Sequence, residues 1–240
     1  MRGAQVRACA PPTKGLTVPF YAIPDHLSFC EIDARTIFLD LRRDRYIELD
    51  PETRATLNRC RAADAPSVRV SADVEHLQRL GLIVESTKPT NLAAIAIDVP
   101  QLSLRDEPSP RSLKAWPIVP EVLALLLHNR RILKRGGIEV AVSEVRSRNA
   151  DRSRPRSLDG ELLEAAQRFR AARLLIPIQP NCLLDSLSLS SFLSRRGLRA
   201  SLIFGVKLDP FAAHCWLQTA GAIVNDGADT VTAFTPVLSA

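Results

Sequence analysis

Aromatic side chains are scarce in this 240-residue chain, at 5% of residues. Surfaces that grip single-stranded nucleic acid interleave aromatics with cations. The basic stretch 130–156 holds Arg130, Arg131, Lys134, Arg135, Arg146, Arg148, Arg152, Arg154 and Arg156 but no aromatic residue. It reads as a solvated helix face and loop, and no nucleic-acid partner is expected. Long apolar runs are also missing. None reaches the ~18 residues that span a bilayer, and the first fifteen residues lack the apolar region of a signal peptide. The expectation is a cytoplasmic protein with no membrane association. Cysteine is sparse and odd in number, with five residues at 9, 30, 60, 182 and 215 and no CxxC pair. That excludes a disulfide framework or a structural zinc site and fits a reducing compartment. The four histidines, at 26, 76, 128 and 214, show no metal-ligand spacing. No glycine-rich phosphate loop occurs, so neither a metal nor a cofactor is expected.

What is present is enough apolar sequence, 46% of residues, to bury a core. Three short runs, 26–33, 36–44 and 45–50, alternate as antiparallel strands do. Asp50 is placed to cap a helix that opens with Pro51. A second helix over 71–84 starts at Ser71, carries Val74, Leu77 and Leu80 on one stripe, and stops at Gly81. Residues 87–110 hold four prolines and read as a linker, although 92–99 also suits a strand. Beyond it the order reverses. Helices are expected over 119–137, ended by Gly136–Gly137, over 158–175, and from Cys182 to Gly197. Strand-like runs then cover 199–209, 212–220 and 222–229. The pattern is α+β, divided into 1–86, a linker over 87–110, and 111–240.

The stretch "NCLLDSLSLSSFLSRRG" puts a lone thiol in the first turn of an expected amphipathic helix. A helix N-terminus favours a thiolate. His214 lies on the second expected strand of this half, and Asp226 at the end of the third. Neighbouring antiparallel strands bring such residues side by side. Cys182, His214 and Asp226 therefore form a candidate Cys–His–Asp site, with His214 as base and Asp226 holding its ring. Asp229 is the alternative carboxylate. Cys215, adjacent to His214, points to the other strand face and reads as structural.

These residues carry a resemblance. The Cys182 helix, Gly205–Val206, Pro210–Phe211, Ala213–His214, Trp216 and Asp226 together look like the core of the lasso peptide biosynthesis proteases, a transglutaminase-like family. The resemblance implies a papain-like cysteine protease domain over 111–240 that removes the leader from a lasso peptide precursor. It implies partnership with a separate asparagine-synthetase-like cyclase, to which any nucleotide is assigned. The N-terminal strands and helices resemble a winged-helix-like leader-recognition element. In such elements the leader adds as a strand. Here it would line Arg45, Tyr46, Ile47, Glu48 and Leu49, with His76, Leu77 and Leu80 offered by the last helix. Charge over 1–90 is nearly balanced, 13 Lys and Arg against 12 Asp and Glu, which disfavours phosphate binding by this half. Two other readings keep the same residues: a non-catalytic leader-binding scaffold, and an acyltransferase that forms an amide.

Overall fold

The computed structural model describes residues 20–62, 72–87, 90, 92–106, 116–150 and 159–240. It is a mixed α+β fold. The N-terminal half holds β1 (Phe20–Ala22), β2 (Leu27–Ile32), β3 (Arg35–Asp40), β4 (Arg45–Glu48), α1 (Pro51–Ala62), α2 (Ala72–Arg79) and β5 (Val84–Ser86). The expected three-strand meander is present as β2-β3-β4, while the short β1-β5 pair had no sequence signal. Asp50 caps α1 as expected, accepting the N–H groups of Glu52 and Thr53, both at 3.0 Å. The expected cap Ser71 lies outside the described residues. Gly81, at φ 72°, takes the left-handed turn that ends the second helix. The Leu82 N–H then reaches back to the Leu77 carbonyl at 3.0 Å.

Strand alternation sends the two faces of β2-β3-β4 to different cores. Phe29 and Phe38, stacked at 4.7 Å between ring centres, join Leu57, Val74 and Leu77 from the helices. Cys30, Ile37 and Leu39 point the other way, into the core of the C-terminal half. The sheet is therefore buried on both sides, and β2 and β3 pack against the last strand of the chain.

That half comprises α3 (Val119–Ala150), α4 (Asp159–Leu174), α5 (Cys182–Ser194), β6 (Ser201–Lys207), β7 (Ala212–Gln218), α6 (Ala228–Val231) and β8 (Thr235–Ser239). The glycine stop expected at 136–137 is real in the backbone. Gly137 has φ 70° and ψ −170°, and a second helical segment begins directly after the kink. Helix α5 is not amphipathic, as its sequence suggested, but buried along almost its whole length. Its serines account for this. Ser188 and Ser191 donate to the carbonyls of Leu184 and Leu187, at 2.7 and 2.9 Å, so their hydroxyls are satisfied within the helix. The sheet order is β7-β6-β8. The strand expected over 222–229 does not form. Ile223 makes only isolated bridges, to Ser103 and Gln218. Asn225 Oδ1 accepts the Leu217 N–H at 2.8 Å, Asp226 turns its carboxylate on the Gly227 N–H at 2.8 Å, and α6 follows. The third strand is instead β8.

Residues 92–106 contain no strand, yet they are fastened to both halves. The Ile95 N–H donates to the Phe29 carbonyl, the Leu104 N–H donates to the Ile223 carbonyl, and the Ile223 N–H donates to the Leu102 carbonyl. Leu92, Ser103 and Leu104 are buried.

Candidate active site

Asn181 caps α5 from extended backbone, its side chain accepting the Leu184 N–H at 2.9 Å. Cys182 is thereby the first residue of the helix, and it is exposed. Asp185, one turn along, is held by Arg173 Nε at 2.7 Å, which offsets a negative charge in the thiol's own turn. His214 stands on β7 opposite Gly205 of β6. Its ring lies against Trp216 and Phe234, at 6.1 and 5.2 Å between centres. Gly205 makes room for this stack, since a Cβ there would meet the Trp216 ring at 2.7 Å.

Asp226 Oδ2 lies 2.6 Å from His214 Nε2. Cys182 lies near enough to His214 for each side chain to shift the other's protonation. The structure brings the three residues named from the sequence together, with His214 bonded to Asp226 and Cys182 beside it. Asp229, the alternative carboxylate, is exposed on α6 and makes no such contact. Cys215 is buried on the opposite face of β7, and burial pushes its thiol well above the ordinary range.

Their proximity shifts all three protonation equilibria. The hydrogen bond from His214 holds the Cys182 thiol below its ordinary value, against the opposing effect of burial. Hydrogen bonds to Asp226 and Cys182 raise His214 to about 9. Burial would raise Asp226, but its bonds to His214 and the Gly227 N–H, with the nearby Arg105 charge, bring it down. The arrangement favours a thiolate–imidazolium pair.

Sequence reasoning missed the groups behind Asp226. Arg105 Nη1 lies 3.0 Å from Asp226 Oδ1, and Ser103 Oγ donates to the Asp226 carbonyl at 2.6 Å. Asn225 Nδ2 donates to Ser186 Oγ at 2.9 Å, tying the aspartate loop to α5. The proline-rich setting of 87–110 gave no hint that part of it reaches the site.

The residues named for leader binding fall into two groups. Strand β4 pairs only with β3 among the described strands, so its outer edge is open. Arg45 and Glu48 are exposed, Tyr46 and Ile47 half-buried, and Leu49 buried. Tyr46 leans toward the C-terminal half, its ring edge-on to Phe211 at 5.5 Å. Arg35 joins this strand to the β6–β7 turn by pairing with both Glu48 and Asp209. On α2, Leu77 is fully buried, His76 is half-buried near Thr53, and Leu80 is 49% exposed. No group of His, Cys, Asp and Glu suited to a metal occurs among the described residues. No helix among them is long and apolar enough to cross a membrane.

The family model of the transglutaminase-like superfamily (Transglut_core3) matches residues 123–239. Within the chain, 46 residues are 37% identical to the microcin J25-processing protein McjB of Escherichia coli. That match covers 19% of this chain and 22% of McjB, about a fifth of each. No solved structure matches the chain.

The protonation shifts predict selective labelling. Burial raises Cys60, lifts Cys30 to about 11, and pushes Cys215 higher still. Iodoacetamide at neutral pH is therefore expected to modify Cys182 first among the described cysteines. Its rate should rise with pH through the depressed thiol value and flatten below the range of a free thiol. His214→Ala should return the rise to the ordinary thiol range and slow neutral-pH alkylation. Equal rates in the two proteins would mean that the pair does not form. The same shift gives a sign for stability. His214 is raised in the fold, so its stabilising contribution is full below its unfolded value of 6.5 and is lost as pH climbs through about 9.

Proposed function

We propose that this chain is a cysteine peptidase that binds the leader of a lasso peptide precursor and cleaves it from the core peptide. The observation that carries the reading is the placement of Cys182, at the N-terminus of α5, beside a His214 that is bonded to Asp226. The similarity to a protein named for processing microcin J25 supports the substrate class.

In this reading the thiol proton rests on His214 Nδ1. The Cys182 sulfur adds to the carbonyl carbon at the leader–core junction, and the Cys182 N–H, at the helix start, donates to the developing oxyanion. The C–N bond breaks as His214 returns the proton to the leaving amine. The leader remains as a thioester until water, deprotonated by His214, hydrolyses it. Asp226 keeps the ring oriented and stabilises the imidazolium. The leader is held as an added strand on the edge of β4, and a separate asparagine-synthetase-like cyclase closes the ring on the released core.

The test is to incubate the purified chain with a precursor peptide and weigh the products. A free leader carboxylate and a free core amine are expected. A leader joined to an added amine would assign amide formation instead, and leader binding with no turnover would assign a scaffold.

A further inference from the structure

Residues 97–105 bond to two different supports of His214. The first support is Trp216, whose ring stacks on the imidazole with 22° between the planes. Trp216 is fully buried, and Ile97 and Val99 pack against the small core that holds it. An indole Nε1–H can only donate. It donates to Gln218 Oε1 at 2.9 Å, and Gln218 Nε2 donates in turn to the Asp98 carbonyl at 2.8 Å. Gln218 is buried, so both of its bonds matter, and an amide is the side chain that supplies an acceptor on one side and a donor on the other. The second support is Asp226. Buried Ser103 donates to its backbone carbonyl at 2.6 Å and accepts the Arg105 N–H at 3.1 Å. Arg105 Nη1 and the Gly227 N–H both bond to Asp226 Oδ1, at 3.0 and 2.8 Å. Oδ2 is left as the oxygen turned to His214.

We propose that Gln218 and Ser103 are positioning residues for His214, and that residues 97–105 form a strap that holds the imidazole from two sides, through Trp216 and through Asp226. Both residues are buried, so they act through their neighbours and not on a substrate. Gln218 fixes the indole plane against which the imidazole rests. Ser103 fixes the loop that carries the carboxylate. An imidazole held on one side only is free to turn away from its partners, and small misplacements of a reacting group are costly. The strap also continues into the N-terminal half, where the Ile95 N–H bonds to the Phe29 carbonyl and Leu92 joins the core around Phe29 and Phe38. The unit that serves the candidate triad therefore begins inside the stretch read from sequence as a linker.

The histidine itself reports whether the strap grips. Its bond to Asp226 is the first cause of its raised value. Loosening either support weakens that bond, and the value then falls toward the ordinary 6.5. The charged groups around the ring are Cys182 on α5, Asp226 in its loop, Arg105 behind that carboxylate, and Lys207 on β6, whose ammonium lies over the Phe234 ring at 5.3 Å. Neutral replacements of Ser103 and Gln218 alter none of these charges. A changed titration of His214 therefore reports its placement and not a lost charge.

The experiment uses the full chain and the variants Ser103→Ala, Ser103→Thr and Gln218→Met. Alanine removes the Ser103 hydroxyl and threonine keeps it. Methionine matches the length of glutamine and removes both of its bonds. The His214 ring is titrated by NMR, its signal assigned by its absence from His214→Ala. The parent value should lie at about 9. Ser103→Ala and Gln218→Met should each lower it toward 6.5, and Ser103→Thr should leave it near the parent's. This titration is independent of the peptidase reading. The cleavage measurement rests on that reading, and there Ser103→Ala and Gln218→Met should each lower kcat by about tenfold with KM held within about twofold. A parent chain that cleaves no precursor would defeat the peptidase reading, and the titration would still decide the strap. A His214 value unmoved in either folded variant would overturn the proposal, as would lower thermal stability with titration and kcat unchanged, since that marks a purely structural role. Where one variant does not fold, the other decides.

Discussion

Cys182→Ala and His214→Ala are each expected to abolish precursor cleavage, by a factor on the order of 10⁴ or more. The sulfur is the atom that would bond to the substrate, and no other described thiol is placed to replace it. Cys215, the neighbour of His214, is buried on the far side of β7. His214 would act twice, holding the thiol proton and then delivering it to the leaving amine. The two residues work as a unit, so the double variant should be little worse than either single one. Asp226→Ala should be milder by about tenfold to a hundredfold, because it orients and polarises without reacting. Asp229→Ala should cost nothing, since that side chain is exposed on α6. The measurement is product mass against time, with circular dichroism to show that each variant is folded. Cleavage retained by Cys182→Ala would end the peptidase assignment. Loss confined to Asp229→Ala would mean that the orienting carboxylate has been misidentified.

The parts of this molecule that could be read from sequence are those set by local chemistry. Asp50 and Pro51 open a helix, and Gly81 and Gly197 close two more, because capping needs particular side chains or a positive φ at one position. Cys182 and His214 were placed by the same kind of reasoning, a helix start and a strand. Asp226 was named correctly as the residue near His214, but for a reason the structure replaces. It reaches the ring from a loop pinned by Asn225 and Ser103, not from a paired strand.

What escaped was set at long range or by compensation. Arg105 and Ser103 lie 121 and 123 residues from Asp226, and nothing in their own neighbourhood announces the contact. Helix α5 reads as polar on one side because serine counts as polar, yet the hydroxyls of Ser188 and Ser191 bond to the carbonyl four residues back and that of Ser186 to the Cys215 carbonyl. Strand β8 was hidden by Pro236, which speaks against a strand in general. The chain tolerates it because β8 is an edge strand with an irregular register beside Gly205. The burial of both faces of β2 and β3 was hidden as well. Alternation identified two faces but not that the second, at Cys30, Ile37 and Leu39, meets the C-terminal core.

Glu48→Pro is expected to lower affinity for a labelled leader peptide by about tenfold or more, while Glu48→Ala stays near the parent value. The argument rests on which backbone groups of β4 remain free. The Leu49 N–H bonds to the Thr36 carbonyl at 3.0 Å, and the register pairs Phe38 with Ile47 and Asp40 with Arg45. In an antiparallel ladder the hydrogen-bonded pairs alternate. Residues 45, 47 and 49 therefore turn their N–H and carbonyl groups toward β3, and those of Tyr46 and Glu48 face the open edge. An added strand would bond to those two. Proline at 48 removes one outward donor and places its ring in the path of the incoming chain, a loss of ~1–3 kcal/mol. Proline at 47 would instead break the β3–β4 ladder and damage the fold, so it is the wrong probe. Glu48→Ala supplies the control, because both changes remove the exposed pair with Arg35 and only proline removes the N–H. The binding should be followed by fluorescence anisotropy on the full chain, since the meander shares its second face with the C-terminal core. Equal leader affinity in folded Glu48→Pro and Glu48→Ala would rule out capture on this edge. A tenfold gap between them, with labelling of Cys182 unchanged, would separate leader capture from the chemistry of the triad.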